Sequence, residues 1–274
     1  MSGCSGNCSG CASDCSSRDP KDMHIPAGKN SNIKNVIGVV SGKGGVGKSL
    51  VTSLMASAMQ SNGFKTAILD ADVTGPSIPK SFGVKGRAEG TDEYLLPKES
   101  ETGIKMMSVN FLLEKEDSPV VWRGPVISGV IQQFWKDVAW GDVDYMFVDM
   151  PPGTGDVPLT VFQNIPLKGI IIVTTPQDLV TMIVKKAYNM AKLMNIPIIG
   201  IIENMSYAIC PDCGKHINIF GVSKAEEISK ELNVPILAKI PMEPETAALV
   251  DEGKVEKIGD KYLAEAVTAL KGIN

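Results

Sequence analysis

The chain has 274 residues, 43% of them hydrophobic and 21% charged, with a formal net charge of −4 and a pI near 5.4. This length suits one large α/β domain, or one domain with an appended tail. The acidic balance argues against a general nucleic-acid binder, and no apolar run approaches the ~20 residues that span a bilayer.

Residues 1–31 are rich in Ser, Gly, Asp and Cys and almost devoid of apolar side chains. Such a segment cannot offset its own ordering entropy, so a flexible Cys-rich, metal-binding tail is expected, with the folded domain spanning residues 32–274. The tail has neither a basic start nor an apolar stretch, so it does not read as a signal peptide, and a cytoplasmic, reducing setting is the expectation.

From Ile33 the sequence alternates short apolar strands with helical stretches, the signature of a mostly parallel sheet covered by helices on both faces. Ile33–Ser41 is the first predicted strand, followed by a Gly-rich loop and a helix over Lys48–Ser61. Further strands are expected at Lys65–Asp70, Ile104–Val109, Tyr145–Asp149, Gly169–Thr174, Ile198–Glu203 and Pro235–Ile240. Helices are expected at Ile127–Asp137, Leu179–Met194, Lys224–Leu232 and Asp260–Lys271. Between Lys85 and Ser118 the charged, Gly-containing sequence suggests a surface hairpin or insertion with one clear strand.

The stretch Gly42-Lys43-Gly44-Gly45-Val46-Gly47-Lys48-Ser49 lies between a strand and a helix, the context that a P-loop requires. Its glycines let backbone N–H groups turn around a polyphosphate, and the helix N-terminus adds partial positive charge. Lys48 is expected to reach the β- and γ-phosphates of ATP, and the Ser49 hydroxyl to ligate Mg²⁺. Lys43 is either a solvated charge or a second cation that reaches nucleotide in a neighbouring subunit. Carboxylates at the carboxyl ends of parallel strands face the ligand crevice. Asp149 is therefore expected to hold Mg²⁺ through water, and Asp72 to position the attacking water, with Asp70 the lesser candidate. Pro151–Asp156, directly after Asp149, reads as a loop that senses the γ-phosphate.

All six cysteines fall in two places: Cys4, Cys8, Cys11 and Cys15 near the start, and Cys210 with Cys213. Clusters at such short gaps in a reducing setting read as metal ligands. Cys210 and Cys213 offer two thiolates, half of a four-sulfur site. A two-fold dimer would supply the other half. Spacing alone leaves open a zinc site completed by His216, and a redox dithiol. The four tail thiolates suffice for a site within one chain, iron–sulfur or zinc.

Three stretches carry a family resemblance: Asp70–Pro79 (Asp-Ala-Asp-Val-Thr-Gly-Pro-Ser-Ile-Pro), Val121–Pro125 with Trp140–Tyr145 and Asp149–Asp156, and Glu203-Asn-Met-Ser206 followed by Cys210-Pro-Asp-Cys213-Gly214. With its two-lysine P-loop, the chain resembles the MinD/ParA/nitrogenase-iron-protein group of dimeric ATPases, and within it the Mrp-type iron–sulfur cluster carriers. The resemblance implies a three-layer α/β/α P-loop fold and slow Mg²⁺-dependent ATP hydrolysis. It also implies that Lys43 contacts nucleotide across a homodimer interface, and that Asn204 and the Pro241 segment border the adenine. Cys210 and Cys213 would share a labile [4Fe–4S] cluster between two subunits, received from cluster-assembly proteins and delivered to apo-proteins, with no nucleic-acid or membrane partner. The rival reading is a positioning ATPase like MinD or ParA. It needs a basic amphipathic last helix, whereas Tyr262–Lys271 is nearly neutral and suits packing on the sheet. A nitrogenase-type reductase ranks below both, because its cluster ligands are separated single cysteines.

Overall fold

The computed structural model describes residues 24–73, 75, 77–113, 124–153, 155–177, 180–210 and 212–273. The tail cysteines Cys4, Cys8, Cys11 and Cys15, together with Thr74, residues 121–123, Thr154 and Pro211, lie outside the described residues.

Ten strands and eight helices follow in chain order among the described residues. They are β1 (Ser31–Ser41), α1 (Lys48–Ser61), β2 (Thr66–Asp70), α2 (Ile78–Ser81), β3 (Lys98–Glu99), β4 (Lys105–Met107), α3 (Gly124–Lys136), β5 (Gly141–Asp149) and α4 (Asp156–Asn164). The second half holds β6 (Gly169–Thr174), α5 (Val180–Leu193), β7 (Ile198–Glu203), β8 (Ala208–Ile209), β9 (His216–Ile217), α6 (Ala225–Leu232), β10 (Ile236–Lys239), α7 (Pro244–Asp251) and α8 (Ala264–Lys271).

Eight strands form one sheet in the order β10-β7-β6-β1-β5-β2-β4-β3, parallel throughout except for the edge pair β3–β4. From β1 the chain moves out to β2 and β4, returns to β5, and then crosses to β6, β7 and β10 on the other side. The order thus reverses around β1, and in such sheets the ligand crevice opens beyond the carboxyl ends of the strands at that point. In register, Val39 of β1 stands beside Asp149 of β5, and Asp149 beside Asp70 of β2. One level of the sheet therefore carries both acids next to the strand that feeds the Gly-rich loop.

Runs such as Gly-Ile-Ile-Ile-Val-Thr in β6 are buried at every position, as strands covered on both faces must be. Helix α1 lies across β1, β2, β5 and β6 and touches α2 and α8, while α3 packs on α4 and α5 rests on β1 and β6. Small residues make the burial of α1 possible: Ser53, Ala56, Ser57 and Ala58 all lie within the core alongside Leu54, Met55 and Met59. The Tyr145 hydroxyl donates to the Leu270 carbonyl at 3.0 Å and ties β5 to α8.

Three expectations need revision. The chain joins the body before residue 32: the Ile25 N–H donates to the Asn164 carbonyl at 2.8 Å, and the Trp135 indole donates to the Ile25 carbonyl at 2.8 Å. The hairpin expected between Lys85 and Ser118 is formed by β3 and β4, but as the edge of the main sheet rather than as an insertion, because β4 pairs with β2. The last helix begins at Ala264, four residues later than expected. Helices α2, α4 and α7 and the β8–β9 hairpin were not foreseen.

Candidate functional site

β1 ends at Ser41, and the Gly-rich loop turns directly into α1. Gly45 (φ 80°) and Gly47 (φ 77°) take left-handed conformations that favour glycine. At Gly47 there is also no room: an added β-carbon would lie 2.1 Å from Nδ2 of Asn204. That amide donates to the Val46 carbonyl at 2.9 Å, so the end of β7 braces the loop from below.

Lys48, the first residue of α1, is 5% exposed. Its ammonium donates to Asp149 Oδ1 at 2.7 Å and lies 3.4 Å from Asp72 Oδ2. Asp149 is fully buried and accepts two further bonds, from Ser49 Oγ to Oδ2 at 2.5 Å and from Thr52 Oγ1 to Oδ1 at 2.8 Å. A carboxylate so deeply buried requires such partners. The structure therefore gathers Lys48, Ser49, Asp72 and Asp149 into one cluster at the mouth of the loop. Ser49 Oγ and Asp149 Oδ2, a hydroxyl and a carboxylate side by side, form the hard oxygen pair that suits Mg²⁺.

Two neighbours complete this cluster. Thr52 was missed in the sequence, although its place one helical turn beyond Lys48 puts both on one face. Asp70 is buried, accepts from Ser108 Oγ at 2.8 Å and receives the Asp72 N–H at 3.2 Å. Burial, reinforced by the charge of Asp149, pushes its carboxyl up to about 8. Asp70 is thus a structural acid beneath the site, which also caps the turn at Asp72.

Lys43 stands apart from this cluster: its ammonium donates to Gln177 Oε1, beyond the end of β6. The loop after β5 is fastened to β1, with Met150 N–H on the Val39 carbonyl at 3.1 Å and Gly153 N–H on the Ser41 carbonyl at 2.8 Å. It runs into α4 at Asp156, so the expected sensor loop is a short strand-to-helix connection. The Pro241 segment lies beside Asn204, since the Ile240 N–H bonds the Glu203 carbonyl at 2.9 Å and the Met242 N–H bonds that of Tyr207 at 2.7 Å.

Cys210 and Cys213 occupy the turn of the β8–β9 hairpin. The Gly214 N–H closes the turn on the Cys210 carbonyl at 2.9 Å, and Gly214 takes the left-handed φ of 69°. Backbone N–H donors at Cys213 and then Asp212, with the Cys213 side chain third, hold the Cys210 thiol below the ordinary thiol range. Such a thiol favours the thiolate form that binds metal. His216 does not join the pair: its ring stacks on Tyr207, centroids 4.2 Å apart and planes within 15°. Among the described residues no three His, Cys, Asp or Glu side chains converge on a metal-sized site. Ile209 and Ile217 in the hairpin strands, and Ile219 and Val222 just after them, are exposed apolar side chains.

Comparison with known proteins places this geometry in context. The model of the ParA family described as the NUBPL iron-transfer P-loop NTPase matches residues 32–272. An iron–sulfur cluster carrier protein from Clostridium perfringens is 44% identical over 95% of both chains. One from Methanocaldococcus jannaschii is 45% identical over 92% of this chain and 90% of its own. The nucleotide-binding protein of Archaeoglobus fulgidus, solved with ADP, superposes with a TM-score of 0.75 at 44% identity, covering 82% of this chain and 89% of that one. The cell-division ATPase MinD of Pyrococcus furiosus shares the fold, with a TM-score of 0.61 at 19% identity over 88% of this chain and 99% of its own. With its two-lysine loop, its buried Lys48–Asp149 pair and a family match running almost from end to end, the chain belongs to the NUBPL iron-transfer group of ParA-type P-loop NTPases.

Proposed function

We propose that this protein is an ATP-hydrolysing carrier that holds an iron–sulfur cluster on Cys210 and Cys213 and passes it to apo-proteins. One observation carries the reading: a domain whose main sheet ends in a P-loop cluster of Lys48, Ser49, Asp72 and Asp149 also bears, as a separate two-stranded hairpin after β7, two cysteines, one of them a lowered-pKa thiol. The carrier names of its relatives at 44% and 45% identity support it.

Two thiols per chain leave a [4Fe–4S] cluster half-ligated, so two copies joined about a two-fold axis would supply four. The exposed Ile209, Ile217, Ile219 and Val222 in and after the hairpin suit such an approach, and the exposure of Cys213 suits transfer of the cargo. Cys4, Cys8, Cys11 and Cys15 are proposed as a second site, for iron–sulfur or zinc.

In the nucleotide site Ser49, with Asp149 through water, would hold Mg²⁺, whose charge offsets that of the β- and γ-phosphates. Lys48 binds the phosphates, Asp72 orients the attacking water, and Lys43 reaches the nucleotide of the second subunit. Asn204 and the Pro241 segment border the base. A positioning ATPase on a lipid surface is not favoured: Leu263, just before α8, and Ala266, Val267 and Leu270 within it are buried against the domain, and no described helix is long and apolar enough to cross a membrane.

The test is anaerobic reconstitution with iron and sulfide, followed by iron and acid-labile sulfide analysis. The wild type should gain broad visible absorbance, and Cys210→Ala should lose most of it. Full cluster content in that variant sinks the assignment.

A further inference from the structure

The cysteine hairpin leaves the domain after β7 and returns at α6, and both of its ends are fastened to one buried carboxylate. Glu203, the last residue of β7, is 1% exposed. Its Oε2 accepts from Ser206 Oγ at 2.5 Å, and its Oε1 from Ser223 Oγ at 2.8 Å. Ser206 opens the excursion that carries Cys210 and Cys213, and Ser223 closes it. A carboxylate this deep is tolerated only when its oxygens are hydrogen-bonded, so the two hydroxyls are held firmly.

The adjoining residue reaches the nucleotide loop. The Asn204 N–H donates to the Thr174 carbonyl at 2.8 Å, and its side-chain amide donates to the Val46 carbonyl and fills the space below Gly47. Met205, at φ 54°, then turns the chain sharply into the hairpin. Two consecutive residues therefore grip the P-loop with one side chain and both ends of the cysteine hairpin with the other. There is little slack between them, because the Ile240 N–H bonds the Glu203 carbonyl and the Ser206 N–H bonds that of Ile240, each at 2.9 Å.

We infer that Glu203 is a positioning residue that couples the P-loop to the cysteine hairpin, so that nucleotide at Val46–Gly47 resets the hairpin through Asn204 and the Ser206 and Ser223 hydroxyls. The inference rests on the reading of Cys210 and Cys213 as the cargo site. Coupling of this kind needs two sites and a shared element that both bias. The Glu203–Asn204 pair is that element.

The test uses the full chain, with iodoacetamide labelling of Cys210 and Cys213 resolved by peptide mass spectrometry, without nucleotide, with ADP and with a non-hydrolysable ATP analogue. In the wild type, nucleotide should change the labelling rate by about fivefold or more. In the Ser206→Ala/Ser223→Ala variant the rates should become equal across the three conditions, while nucleotide affinity stays within about threefold, since neither hydroxyl touches the loop. Ser223 also accepts the Ala225 N–H at 3.2 Å at the start of α6. Ser206→Ala alone, which spares that contact, should already reduce the response, and Ser223→Thr, which keeps a hydroxyl, should preserve it. A double variant that retains the wild-type response overturns the inference, as does a wild type whose labelling ignores nucleotide. Iron content, measured in parallel, separates the two ideas: a wild type that reconstitutes normally but shows no response loses only the coupling, whereas responsive thiols that never take up iron defeat the carrier reading.

Discussion

The side-chain amide of Asn204 sits 2.1 Å from where a β-carbon on Gly47 would stand, while donating to the carbonyl of Val46 at 2.9 Å. The loop is thus shaped both by its own glycines and by a side chain more than 150 residues away in sequence. Gly47→Ala meets strain at φ 77° and a clash together. It should lower stability by roughly 2–4 kcal/mol and abolish measurable nucleotide binding by calorimetry. Asn204→Ala removes the clash but strands the Val46 carbonyl, at about 1–3 kcal/mol. In the double variant part of the Gly47→Ala cost should return, giving a coupling energy of about 1 kcal/mol in chemical denaturation. Strict additivity would show that the backbone strain alone dictates glycine here.

Thr52 supports Asp149 without facing the loop. It bonds Oδ1 at 2.8 Å and the Lys48 carbonyl at 3.0 Å. Thr52→Val keeps the shape and removes the hydroxyl, leaving a buried carboxylate with one donor fewer. A stability loss of about 1–2 kcal/mol is expected, with kcat/KM for Mg-ATP reduced about tenfold. Unchanged phosphate release by the variant would show that Lys48 and Ser49 hold Asp149 alone.

Much of this was legible in the sequence, for physical reasons. Helix α1 and strands β6 and β7 fall where the apolar periodicity placed them, because strands buried on both faces read as unbroken apolar runs. Lys48, Asp72 and Asp149 were readable because strand-end carboxylates beside a P-loop have few other places to go. What escaped were short or polar elements. Helix α7 announces itself only by Pro244 at its first turn and Glu245 beside it. The β8–β9 hairpin is too short to show alternation. The role of Glu203 depends on Ser206 and Ser223 meeting in space, which no local pattern encodes.

Asp70 gives the protein a pH signature. Its carboxyl lies at about 8 in the folded state, against 3.8 as its ordinary value, chiefly because burial penalises the charge. Folding therefore takes up a proton between those values, and the stability associated with this group, fully present below about 3.8, is lost as pH rises towards 8. Asp70→Asn can keep both contacts, accepting the Asp72 N–H and donating to the Ser108 hydroxyl. Without nucleotide, the variant should be more stable than wild type at pH 8, by about 1 kcal/mol or more, and the difference should shrink or reverse by pH 5. Parallel stability profiles for the two proteins, from urea titrations across that range, would rule this out.

Lys43 is bonded to Gln177 of its own chain, whereas the proposed dimer needs the same ammonium at a second subunit's nucleotide. The two arrangements compete, so the Gln177 contact is a cost that dimerisation must meet. A hydrogen bond to a charged group contributes about 1.5–3 kcal/mol when well shielded. At this partly exposed site solvent screening reduces it to about 1 kcal/mol per subunit, so about 2 kcal/mol for the two subunits of a dimer, equivalent to about a thirtyfold shift. Gln177→Ala should therefore raise the dimer association constant with an ATP analogue by about that factor in analytical ultracentrifugation. Lys43→Ala should act in the opposite sense: hydrolysis should slow by about tenfold or more, while single-subunit affinity for ADP stays within about threefold. The contrast carries the argument, because a lysine that merely tethered the loop to Gln177 would give both variants the same loss. Identical behaviour of the two would return Lys43 to a purely structural role.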